Sequence, residues 1–202
     1  MGSSTLLDII GSMVIGSLLL LVALKMDERA TANTFQSQEN LTVQQNMTAL
    51  IQNLEWDFRK LGYCRNPALT TDPSEYILDG DTDRITFIAD LENTGKLDTV
   101  TWSLGDTVAG CPNPNVRMLD RKVDNGPNVG SNLGVTEFSL QYFDTFGQPI
   151  RTPYIGGALP SPQLIQLTVE VEPTSEYGDT TYTHILSLWR QTRLVSRNLR
   201  NR

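Results

Sequence analysis

The sequence is poor in the residues from which most active sites are built. It has one histidine, His184, and two cysteines, Cys64 and Cys111. The cysteines lack the close spacing of a metal knuckle, and one histidine cannot complete a His-rich site, so no such metal centre is expected. There is no G-x-S-x-G, no Cys–His pairing signal and no phosphate-binding glycine loop. His184 falls in an expected strand, where a structural role is the simpler reading. Aromatic residues make up only 7% of the chain, and Trp102, Tyr142 and Trp189 are expected in the core. Neither an enzyme nor a cofactor is expected.

Positive charge is scarce as well. The net charge is −7, and Trp189 to Arg202 holds five arginines (Arg190, Arg193, Arg197, Arg200 and Arg202) without an acid. Removing five positive charges from −7 leaves a body of −12. Phosphate binding needs a broad basic surface, which argues against nucleic acid as the main partner. Were the tail helical, Arg190, Arg193, Arg197 and Arg200 would gather on one face. That face would suit a solvated end, or contact an acidic neighbouring subunit or anionic lipid.

With so few cysteines, their pairing is the only covalent question. A Cys64–Cys111 disulfide would close a loop of about 48 residues, worth roughly 3–4 kcal/mol in the chain-entropy picture. It is expected if the domain is exported; two unrelated buried thiols are the alternative.

What the chain does have is a dense apolar block. Ile9 to Leu24 reads IIGSMVIGSLLLLVAL without a charge. As a helix it would span about 24 Å, and Leu6 and Leu7 bring it close to a ~30 Å hydrocarbon core. Asp8 then lies within the apolar segment, where a carboxylate has a dedicated partner, or else at the lipid headgroups or as a cap. No basic stretch precedes the run, so a cleaved secretory signal is not expected. An A-x-A-like site at Ala30-Thr31-Ala32 is crowded by Lys25, Asp27, Glu28 and Arg29.

Proline and glycine are absent from Lys25 to Leu61, so nothing breaks a helix there. Its first part is polar nearly all round. Met47, Leu50, Ile51, Leu54, Phe58 and Leu61 then recur at three- and four-residue steps, an amphipathic stripe, and Gly62 supplies the stop. Beyond Tyr63 the period becomes strand-like. Arg84–Ala89 and Thr99–Leu104 flank a turn at Gly95. Val135–Phe143, Leu164–Glu172 and Thr181–Trp189 also read as strands, the last two paired across Pro173–Asp179. Asn113–Gly134 and Ile150–Pro162 read as loops around at most short strands. The expected fold is α+β: a long N-terminal helix over residues 1–62, packed on an antiparallel β-sheet head over 63–202.

Asp79, Asp81, Asp83 and Asp90 lie in two runs that look like incomplete calcium loops. Neither has the downstream bidentate Glu, and tight-turn chemistry accounts for both more simply.

Ser4-Thr5-Leu6-Leu7-Asp8, running at once into the apolar stretch, resembles the start of a mature type IV pilin or type II secretion pseudopilin. Further segments are similar to large minor pilins: Phe87–Leu91 through Leu97–Trp102, Phe138–Gly147, and Arg197-Asn198-Leu199. The resemblance implies a non-catalytic filament subunit. Its apolar helix would be held in the inner membrane, then form the core of an extracellular filament or periplasmic pseudopilus. Asp8 would be the buried acid that meets the N-terminal amine of a neighbouring subunit. Processing by a prepilin peptidase would fall near Gly2, Ser3 and Ser4. Partners would be other pilin subunits and the assembly machinery. The rival reading is a single-pass anchored ligand-binding or adhesive domain that does not polymerise.

Overall fold

A computed structural model describes residues 2–70, 72–174, 187–195 and 197–199, with the side chains of 2–6 and 197 left aside. One α-helix, α1, runs from Gly2 to Arg59. By compactness the chain divides into two units, Met1–Leu41 and Thr42–Arg202. The division falls inside α1 because its apolar residues become core only from Val43 onward.

Among the described residues of the second unit, nine strands form one sheet: β1 (Ile77–Gly80), β2 (Arg84–Ala89), β3 (Asp98–Thr107), β4 (Arg117–Val123), β5 (Val129–Phe143), β6 (Pro149–Ile150), β7 (Tyr154–Ile155), β8 (Leu164–Val171) and β9 (Leu188–Leu194). The order is β7-β1-β2-β3-β4-β5-β8-β9, with β6 on β5, and every pairing is antiparallel. The α+β expectation holds.

The helical stripe is the core. Met47, Leu50, Ile51, Leu54, Phe58 and Leu61 are all buried, in one cluster with alternate residues of the sheet. Phe58 meets Phe87 with ring centroids 5.5 Å apart. The strands show why a period of two suffices: Ile165, Leu167, Val169 and Val171 are buried, with Thr168 and Glu170 between them only partly covered. β5 needs one correction to that period. Its register slips between Val135 and Glu137, and the extra residue turns both Val135 and Phe138 into the core although they are three apart.

Gly62 ends the helical run as expected. Its φ is +68°, its N–H donates to Ile88 O at 2.8 Å, and the Tyr76 ring fills the place a Cβ would take. Asn198 Nδ2 donates to Leu61 O at 3.0 Å, and Leu199 is buried. Those two residues of the C-terminal stretch therefore belong to the head rather than to solvent.

Three expectations are corrected here. The Asn113–Gly134 loop contains β4 and the start of β5. Charges on both faces of RMLDRKV hide its alternation, yet Leu119 is fully buried. Trp189 is 58% exposed rather than core, whereas Trp102 and Tyr142 are buried as expected. The arginine stretch begins as a strand, so Arg190 and Arg193 fall on opposite faces instead of one.

Candidate functional site

The N-terminal unit carries the feature that demands explanation. From Leu7 to Leu24 every large apolar side chain is exposed, from 51% at Val14 to 77% at Met13. Each side chain of that size left in water forgoes about 1.5–3 kcal/mol of burial. The run belongs to a helix long and apolar enough to cross a membrane, with none of its apolar window buried within the chain.

Its few polar groups suit an apolar medium. Ser12 Oγ donates to Ile9 O at 2.9 Å and Ser17 Oγ to Val14 O at 2.8 Å, so both hydroxyls are satisfied by the helix itself. A Cβ added at Gly11 or Gly16 would meet nothing, so neither glycine is needed for packing inside this chain. Asp8 is exposed, one residue from the start of the uncharged run. Gly2, Ser3 and Ser4 form the first turn of α1. Lys25, Asp27, Glu28 and Arg29 follow the run and are exposed.

No protein-family model, curated protein or solved structure matches the chain.

The head holds the other residues singled out by sequence. Asp90 is wholly buried. Its Oδ1 accepts Thr94 N at 2.9 Å; its Oδ2 accepts Gly95 N at 2.8 Å and Arg65 N at 3.1 Å. Burial pushes this carboxyl up, but backbone amides of Arg65, Gly95, Thr94 and Asn93 outweigh it and hold it below the usual carboxylate range. Asp90 thus clasps the β2–β3 turn to the segment after α1. Asp79 pairs with Arg84 at 2.8 Å, and Asp81 Oδ1 accepts Thr82 N at 2.7 Å. Asp83 is exposed. Among the described residues no group of acids is arranged to hold a metal ion; turn chemistry accounts for Asp81 and Asp90, whereas Asp79 lies within β1 and is held by its pair with Arg84.

The disulfide expectation is overturned: Cys64 and Cys111 are free thiols. Tyr63, beside Cys64, bonds Asp90 next to the Asp98 end of β3, whereas Cys111 N donates to Val108 O just past its Thr107 end. A strand of that length separates its ends by about 30 Å, and a disulfide tolerates less than about 7 Å between Cα atoms. Cys111 Sγ instead lies 3.6 Å from Thr174 O. His184 and the rest of the expected last strand from Thr181 to Leu186 lie outside the described residues, as do Arg200 and Arg202.

One buried charge was not foreseen. Asp57, 2% exposed, accepts Arg121 Nε at 2.6 Å and Nη2 at 3.0 Å, and Trp102 Nε1 at 2.9 Å. Trp102 and Arg121 face each other in register on β3 and β4, so both reach the same carboxylate on α1. The sequence signal was an acid inside the helical stripe, between Leu54 and Phe58.

Proposed function

We propose that this chain is a non-catalytic, membrane-anchored subunit of a type IV pilin-like or pseudopilin-like filament. The observation that carries the reading is an unbroken helix whose N-terminal apolar run is wholly exposed and holds a lone acid, Asp8, at its start. Lipid first, and then the helices of neighbouring subunits, would cover that surface. Asp8 would pair with the N-terminal amine of a neighbour, which offsets the cost of a carboxylate in apolar surroundings. The β head would stay outside the apolar layer and make the contacts with partners.

The test is the intact mass of the chain recovered from its native cells, together with electron microscopy of sheared surface material. Loss of the first two or three residues, with a methyl group on the new amine, and recovery of the chain in filaments would support the reading. A full-length chain found only as a detergent-bound monomer in cells that build filaments would overturn it in favour of an anchored, non-polymerising domain.

A further inference from the structure

The face of the sheet opposite α1 carries two cross-strand rows that the filament reading does not use. In the first, Gln141, Gln166 and Arg193 lie side by side on β5, β8 and β9. Arg193 Nε donates to Gln166 Oε1 at 2.9 Å, and Gln166 Nε2 donates to Gln141 Oε1 at 3.1 Å. Gln166 is 7% exposed, so the arginine is held by a nearly buried relay. In the second row, Phe143 pairs with Leu164, and Val195 follows β9 on the same face. The guanidinium lies 5.9 Å from the Phe143 ring centroid.

Beyond these rows the turn after β5 closes one side of a cleft of about 560 Å³, lined by Phe143, Leu164, Val195, Arg193, Asp144 and Gln163 among others. That volume is in the range of small-molecule sites. Asp144 Oδ1 accepts Phe146 N and Gln148 N, both at 2.8 Å, so the turn itself holds this carboxylate in place. Among the described residues no acid forms an ion pair with Arg193. With Nε committed to Gln166, its two terminal nitrogens form a fork suited to a carboxylate.

We infer that this cleft binds a ring-shaped sugar acid, a uronate or similar carboxylated saccharide. The Arg193 fork takes the carboxylate, and the Phe143–Leu164–Val195 row takes the apolar face of the ring. Asp144 Oδ2, Gln163 and Thr145 meet the hydroxyls. Asp144 also disfavours compact dianions such as phosphate, whose second negative charge would have to sit beside its carboxylate. The inference stands independently of filament assembly, since it concerns only the outer face of the head.

The full-length chain in neutral detergent micelles would be titrated with glucuronate, glucose and acetate, following the NMR signals of Phe143, Gly147 and the Arg193 side chain. Glucuronate should shift them saturably while glucose and acetate bind at least about tenfold more weakly. Arg193→Gln should weaken glucuronate by about tenfold or more, with folding checked by circular dichroism. Val195→Trp, which keeps the arginine but fills the cleft, should do the same. Absence of saturable shifts with glucuronate, equal binding of acetate, or unchanged binding in both folded variants would each overturn the proposal.

Discussion

The two parts of α1 contain similar apolar residues and treat them in opposite ways. Leu18 to Leu21 are more than half exposed, whereas Leu50, Ile51 and Leu54 are nearly or fully inaccessible. The difference is one of pattern. Up to Leu24 the apolar residues circle the helix, so no single sheet face could cover them. From Val43 they keep to one stripe, and the β sheet covers it. A helix that is apolar all round asks for an apolar medium or many neighbours; a helix with one stripe asks for one partner surface.

The largest expected effect breaks the first part. Asp8→Lys should abolish filament assembly, scored by electron microscopy, while leaving the thermal unfolding of the head unchanged. If filaments still form, Asp8 is not an assembly contact. In the second part, Leu54→Ala should cost about 2–5 kcal/mol by denaturant unfolding, the range for buried leucines. Asp57→Ala should cost about 3 kcal/mol, toward the low end for a broken buried pair because Arg121 retains a third of its side-chain exposure.

A smaller effect concerns the clasp that follows the helix. The folded pKa of Asp90 is lowered, so its contribution to stability is present above the ordinary carboxylate pKa and is lost as pH falls through the lower folded value. Asp90→Asn should therefore flatten the acid limb of the stability profile, and an unchanged limb would assign that pH dependence elsewhere. The smallest effect returns to the first part. Leu19→Ala should change unfolding of the head in detergent by less than about 0.5 kcal/mol, the counterpart of Leu54→Ala on the same helix.

Much of the head was legible because its signals are local. Arg84–Ala89 is β2 residue for residue, and Gly95, with φ +85°, sits in the turn it was read to make. β4 was not legible, because charged residues such as Arg117, Asp120 and Lys122 on a partly open sheet mimic a loop. The Gln141–Gln166–Arg193 row was out of reach for another reason. Its members come from three strands whose register is set by long-range pairing, and Arg193 was read in a stretch with helical spacing. The missing disulfide belongs with these, since no spacing along the chain tells which end of β3 each cysteine lies near.

By itself, then, the sequence determined what is periodic: the apolar run from Leu7 to Leu24, the unbroken helix, the stripe from Met47 to Leu61 and most strands. Each depends on neighbours a few residues apart, where hydrophobic spacing and backbone preference act directly. Only the tertiary structure decided what that periodicity brings together. Asp57 meets Trp102 and Arg121, Asp90 gathers amides from two segments, and Arg193 is held above Phe143. Those contacts follow from sheet order and register, which minimise exposed apolar area over the whole head and are written in no single segment.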